Sequence, residues 1–541
     1  EVLLNLYLRD GEAMLSRLNG IFAFALWDPR ERSLLLARDP LGVKPLYWSQ
    51  TARGLLFASE MKALLQAPDV DRELFLPAID YHLHYVWCPS PHTMLRAVHK
   101  LEPGHALRIG AGRVRRKWRF WELPYDQPLM ELPAEEAARA VREQVAQAVQ
   151  RQMVSDVPVG AFLSGGLDSS AVVACARDAA RDGAMRCFTI GFREEMGRTE
   201  GMGADLPYAR RVAQHLGVEL DTVWVGPEMV EQLPRMLYHL DEPQNDPAPI
   251  NALLICQLAR EQGMKVLLSG AGGDDIFTGY RRHWALAQER WWSWLPGPAR
   301  RALARAAAAV PVTTSLGRRL GKALQWADLE GDERLASYFY WIPPRVFQAV
   351  YGPELRAATV GRSSAAPLCQ ALEGLPHGTP DLHRMLYLEG RFFLADHNLA
   401  YTDKMAMASG VEVRVPLIDP ELVALAARLP PSLKQRGRTG KWIFKKAMEP
   451  LLPRDVIYRA KAGFGAPLRH WLRHELRPVV DEVLSPASLA RRGLFDPAAV
   501  QALIARDRAG RVDAAYGLFG LVCIELWCRM FVDPPTPRAE P

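Results

Sequence analysis

One segment constrains this chain more than any other. The apolar run Val157–Leu163 passes into Ser164-Gly165-Gly166-Leu167-Asp168-Ser169-Ser170, and a helical pattern starts near Ser169. A strand that turns through glycines straight into a helix is half of a β-α-β unit, and it needs a parallel neighbour. The same order recurs where Val266-Leu267-Leu268 leads into Ser269-Gly270-Ala271-Gly272-Gly273-Asp274-Asp275. Between the two lie a strand at Cys187–Phe192, a helix at Tyr208–Leu216, a strand at Leu220–Val225 and a helix ending before Gly263. The expected fold class is α/β, a parallel sheet covered by helices, and beyond residue 280 the chain reads as helical and Arg/Ala-rich.

The remainder of the chain falls on either side. At 541 residues it is too long for one core, so two or three domains are expected. Residues 1–122 read as mostly β, with short apolar runs at Ile21–Trp27, Leu34–Ala37 and Leu55–Ala58 punctuated by Pro, Gly and Asp. Val141, Val145, Val149 and Met153 then fall at i+4 steps and mark an amphipathic helix. The expected domains are 1–122, 133–531 and a frayed Pro-rich tail, 532–541. The net charge of +6 is spread thinly, which argues against nucleic acid. Basic Arg113–Arg119 reads as a solvated strand edge. Apolar runs break well short of a membrane span, and seven cysteines without a CxxC pair suit a reduced, cytoplasmic protein. The chain opens on Glu1 without a signal-peptide pattern, as if inside a folded domain.

The two glycine loops carry the chemistry. Glycines let a phosphate approach the backbone, and the helix start behind them offers free N–H groups. No Lys follows the first glycines, so this is not the loop that grips a β/γ-phosphate pair. Asp168 sets a carboxylate where a phosphate would bind, which implies Mg²⁺ between them. In a parallel sheet both loops emerge at one carboxyl edge, so Asp168 and Asp274 could share one ion bridging a pyrophosphate. A third candidate is Lys461, in Tyr458-Arg459-Ala460-Lys461-Ala462-Gly463-Phe464-Gly465; with twelve Lys against fifty-five Arg, a lysine in a glycine-containing loop stands out as a point charge for a departing pyrophosphate. Glu412 and Arg414, two apart in an extended stretch, point the same way, either as a structural ion pair or as site residues.

Taken together these segments resemble the asparagine synthetase family of glutamine-dependent ATP-pyrophosphatases. Ser164–Ser170 is similar to that family's PP-loop, Ser269–Tyr280 to its second nucleotide loop, and Glu412–Asp419 and Arg459–Pro467 to its C-terminal signatures. Leu18–Phe24, Arg38–Tyr47 and Phe57–Leu64 resemble the later half of its N-terminal-nucleophile glutaminase β-sandwich. The resemblance implies that Leu163, Ile190, Ser269 and Gly270 contact the ATP base and ribose. It assigns phosphate to Ser164, Gly165, Gly166, Ser169 and Ser170, Mg²⁺ to Asp168 and Asp274, and pyrophosphate to Lys461. The implied chemistry is attack of a carboxylate, aspartate first, on the α-phosphorus, giving an acyl-adenylate and pyrophosphate. Ammonia from glutamine then displaces AMP. The implied partners are small molecules (the carboxylate acceptor, and glutamine or ammonia) without nucleic acid or membrane, and a homodimer is the assembly considered.

Three positions depart from the pattern. The family's N-terminal Cys nucleophile has no counterpart, so the chain as given is expected to use free ammonia rather than hydrolyse glutamine; a chain that starts inside a longer domain is expected over a natural synthetase-only form. Ala271 stands where the second loop often carries a Glu. Leu240–Pro249 lacks the Thr/Arg cluster that asparagine producers use for aspartate, which leaves a sugar acid, a β-lactam precursor or another carboxylate open as acceptor. A non-catalytic nucleotide-binding subunit is the alternative outside the enzymes. A tRNA-modifying PP-loop enzyme would want a Cys pair and a basic face.

Overall fold

A computed structural model describes residues 1–177, 185–193, 205–309, 324–342, 344–460 and 465–533. The N-terminal part is built on two antiparallel sheets. One has the order β1-β2-β6-β7, from Ala23–Asp28, Ser33–Arg38, His105–Gly110 and Arg113–Arg119. The other has the order β4-β3-β5, from Gly54–Ala58, Tyr47–Thr51 and His99–Lys100. Leu36, Leu107 and Ile109 of the first sheet meet Trp48 and Leu55 of the second in a shared apolar layer. Basic β7 lies at the edge of its sheet with most side chains exposed, as the sequence suggests.

This region is less uniformly β than its punctuation predicts. The chain opens in a helix, Val2–Asp10, and further helices span Met61–Leu64 and Leu76–Tyr85. The reason is spacing. Leu3, Leu6 and Tyr7 share one helical face and are partly covered, while Val2, Leu4 and Leu8 face outward.

The second part holds a five-stranded, all-parallel sheet of order β10-β9-β8-β11-β12. Its strands are β8 (Val159–Phe162), β9 (Arg186–Phe192), β10 (Glu219–Val225), β11 (Val266–Leu268) and β12 (Glu412–Arg414). The chain builds outward from β8 through β9 to β10, then crosses to the other side of β8 for β11. The direction of winding therefore reverses between β8 and β11, and that gap is where sheets of this kind bind ligands. Internal β11, between β8 and β12, is buried along its whole length, as its Val-Leu-Leu sequence requires. The amphipathic helix spans Ala134–Gln152, with Val141, Val145 and Val149 buried as their i+4 spacing predicts. Beyond residue 280 the described residues are helical apart from short β12, ending in the apolar, buried helix Ala515–Phe531. Among the described residues no helix is long and apolar enough to cross a membrane.

Ion pairs join the two parts. Lys44 Nζ lies 2.6 Å from Asp403, Lys62 Nζ 3.1 Å from Asp241, and Lys100 Nζ 3.0 Å from Glu242. Lys100 is almost wholly buried and also faces Asp396 at 3.5 Å. Burial alone would push the Lys100 ammonium down, but Asp396 and Glu242 hold it above its ordinary value.

Candidate active site

The loops after β8 and β11 meet at the reversal point. Leu163 closes β8, fully buried, its N–H donating to Phe188 O at 2.9 Å. Gly165 follows with φ +68°, a left-handed turn against Tyr208 and Ala209 that a side chain would block. The loop is braced by its own hydroxyls. Ser169 Oγ accepts from Ser164 N–H at 3.2 Å and stands 3.1 Å from Ser164 Oγ. The helix Leu167–Arg177 starts here, with Asp168 in its first turn, where the positive end of the helix dipole favours an anion. Ser170 is fully buried behind the loop, with its N–H given to Gly166 O at 3.0 Å. Ile190 is half-buried on neighbouring β9.

The second loop is packed onto the first. A Cβ at Gly270 would stand 2.5 Å from Ser169 N and 2.8 Å from the Asp168 carbonyl carbon. Ser269 N–H donates to Arg414 O at 2.8 Å, and Ser269 Oγ accepts from Ala271 N–H at 3.2 Å. These contacts bring Asp274 to the same place as Asp168, although 106 residues separate them. One cation lies between the two carboxylates: Lys441 Nζ is 2.6 Å from Asp168 Oδ1 and 2.5 Å from Asp274 Oδ1. The Lys441 side chain is 9% exposed, and those of Asp168 and Asp274 are 17% and 21% exposed. Burial pushes the Lys441 ammonium down, and the two carboxylates more than reverse that, holding it above its ordinary value. Lys445, one turn further on, is pushed down by burial and by the Lys441 charge.

Lys441 is the site residue that the sequence reading missed. It follows Gly440 at the start of the helix Trp442–Met448, with φ +53°, a conformation a lysine rarely takes. Its N–H donates to Thr278 Oγ1 at 3.1 Å, and that hydroxyl donates to Lys434 O at 2.9 Å. The scarcity of Lys that singles out Lys461 applied equally here.

Lys461 itself lies outside the described residues. Its flanks are anchored beside the first loop: Arg459 is 2.5 Å from Asp205 and 4.6 Å over the ring of Tyr208, which packs on Gly165. On the far side Gly465 O accepts from Asn251 Nδ2 at 3.0 Å. Glu412 and Arg414 do form an ion pair, at 2.6 Å, and Arg414 also donates to the carbonyls of Gln152 and Val154. This is a brace on the edge strand β12, with Glu412 exposed.

The donor set fits a divalent cation. Two carboxylates from separate loops already converge within contact of one positive atom, and Asp and a bound phosphate are the oxygen ligands Mg²⁺ prefers. Glycine-lined approach, a helix start and a paired carboxylate at a topological reversal define an α/β protein with a ligand cleft at the reversal point of its parallel sheet, carrying an N-terminal two-sheet domain.

Comparison with known proteins places it further. Residues 140–529 match the asparagine synthase family and residues 1–121 match the glutamine amidotransferase domain. The chain belongs to the asparagine synthase family, with an N-terminal glutamine amidotransferase domain. It is 32% identical, over 98% of its length and 80% of the relative's, to a Mycobacterium tuberculosis protein classed by name with the glutamine-hydrolyzing asparagine synthetases. It is 31% identical to glutamine-hydrolyzing asparagine synthetase 1 of Bacillus subtilis, over 90% of this chain and 73% of that one. It is also 27% identical to a Penicillium rubens protein named amidase chyE, over 93% and 77% of the two chains.

Proposed function

We propose that the chain is an ATP- and Mg²⁺-dependent amidotransferase that activates a carboxylate as its acyl-adenylate and passes ammonia to it, releasing AMP and pyrophosphate. The observation that carries this reading is the convergence of Asp168 and Asp274 on one cation at the mouth of the sheet. Adenylation needs a pyrophosphate neutralised and released, and a paired-carboxylate ion site beside a glycine turn suits that task. When bound, Mg²⁺ supplies charge neutralisation for the phosphates. Gly165 and Gly166 let those phosphates approach the backbone, Ser164 and Ser169 shape the turn, and Leu163, Ile190, Ser269 and Gly270 flank the base and ribose. Lys461 meets the leaving pyrophosphate.

Aspartate is the first acceptor to test, since relatives named asparagine synthetase match over most of the chain. A different carboxylate, such as a uronic acid, is favoured by the segment after the helix Leu233–Leu240. There Asp246 is 3.5 Å from His397, and Glu242 is taken by Lys100, with no Thr/Arg cluster to receive a second carboxylate. The test is pyrophosphate release with ATP, Mg²⁺ and ammonium, with and without aspartate and then sugar acids. Release that rises with one carboxylate identifies the acceptor. A folded, ATP-binding protein that releases none with any carboxylate contradicts the reading.

A further inference from the structure

Lys441 occupies the place that the reading above gives to a divalent cation. Its ammonium touches both Asp168 oxygens and Asp274 Oδ1. Mg²⁺ bound to those oxygens would sit at about 2.1 Å from each. An ion there would lie against the ammonium, and two unscreened positive charges that close repel strongly in a buried setting. The ammonium and the ion therefore exclude each other from the Asp168–Asp274 pair.

The protein has a reason to hold a lysine there. Two carboxylates forced together by the packing of Gly270 on Ser169 repel unless a cation separates them. The backbone of Lys441 is committed to this position at some expense. A non-glycine residue in the left-handed region is strained and persists only where its surroundings fix it. Here the fixing bond is Lys441 N–H to Thr278 Oγ1, with Thr278 itself at φ +68°. The backbone is pinned, whereas the ammonium sits at the end of a four-carbon stem packed against Gly279, so the charge can leave by a change of side-chain rotamer while the residue stays. Lys445 stands one turn away, close enough for the Lys441 charge to push its amine down, so two cations already share this end of the cleft.

We propose that Lys441 is a displaceable counter-ion. In the nucleotide-free protein it neutralises Asp168 and Asp274 and keeps free divalent metal out. It gives way only when the metal arrives with the nucleotide, whose phosphates then take up the ammonium. This rests on the reading of the site as one for a metal–nucleotide complex, and it makes the metal site conditional on the nucleotide.

The test is binding of Mn²⁺ to the full chain without and with α,β-methylene-ATP, read as the excess Mn²⁺ held with the protein in equilibrium dialysis, because the free analogue itself binds the ion. The wild type is expected to take up Mn²⁺ only with the nucleotide analogue. Lys441→Met and Lys441→Gln are expected to gain Mn²⁺ binding without nucleotide, at least tenfold tighter than wild type, and to gain thermal stabilisation by Mn²⁺ that wild type lacks. Adding Asp168→Asn to Lys441→Met should remove both gains. If wild type binds Mn²⁺ without nucleotide as tightly as with it, the proposal is overturned whether or not the variants fold. It is also overturned if folded Lys441 variants bind Mn²⁺ only as wild type does. Failure of every form to bind Mn²⁺ even with the nucleotide analogue would remove the underlying reading, and this inference with it.

Discussion

Gly270 lies so close to Ser169 that a Cβ on it would stand 2.5 Å from the Ser169 nitrogen. This contact joins the loop after β11 to the loop after β8 and sets the distance between Asp168 and Asp274. Gly270→Ala should therefore spread the two loops without disturbing the distant cores. The expected result is a loss of nucleotide affinity of at least tenfold, with an unchanged far-ultraviolet circular dichroism spectrum. Unchanged affinity would mean that the loops do not form one site.

Asp168→Asn and Asp274→Asn each leave a neutral, isosteric group in the cleft. Both side chains are partly exposed, so the fold should survive. Pyrophosphate release should fall by on the order of 100-fold or more in each. Normal turnover in either variant would sink the assignment of an ion to this pair.

Lys100 holds the junction between the two parts of the chain. Replacing it by Met leaves Glu242 and Asp396 facing each other in a buried place without a cation. Breaking a buried pair from one side costs about 3–5 kcal/mol, so the thermal midpoint should drop by several degrees. A midpoint within a degree of wild type would show that the junction does not depend on this charge.

Lys434 is fully buried, its Nζ has no hydrogen-bond acceptor among the described residues, and it stands 5.5 Å over the Tyr125 ring. Burial pushes its amine down to about 7. The unfolded chain binds this proton up to the usual lysine range and the folded chain releases it near 7. Stability should therefore rise with pH across that window, with the full burden present below about 7. Lys434→Met should raise stability at neutral pH by about 1–3 kcal/mol and flatten the pH dependence above 7. Denaturant titrations of both proteins from pH 6 to pH 10 would show it, and a variant less stable than wild type at pH 7 would contradict it.

The parts of this structure that were legible in the sequence are the local ones. A short apolar run, a glycine turn and a helix start lie within a dozen residues of each other, so β8, its loop and the helix Leu167–Arg177 can be read directly. The pairing of the two loops could be inferred because both follow strands of a parallel sheet. Lys441 could not be read the same way. It sits 273 residues from Asp168, and its left-handed backbone is imposed by Thr278 rather than by its own side chain. The helix Val2–Asp10 is hard to read because Leu4, Leu6 and Leu8 also alternate as in a strand, and only the partial burial of Leu3, Leu6 and Tyr7 picks out the helical face.

The most direct measurement is the identity of the nucleotide products, followed by phosphorus nuclear magnetic resonance with ATP, Mg²⁺, ammonium and the acceptor that stimulates turnover. The prediction is AMP and pyrophosphate in equal amounts, lost together in Asp168→Asn. ADP and inorganic phosphate would place bond cleavage at the γ-phosphate and contradict a site built around two carboxylates and a departing pyrophosphate.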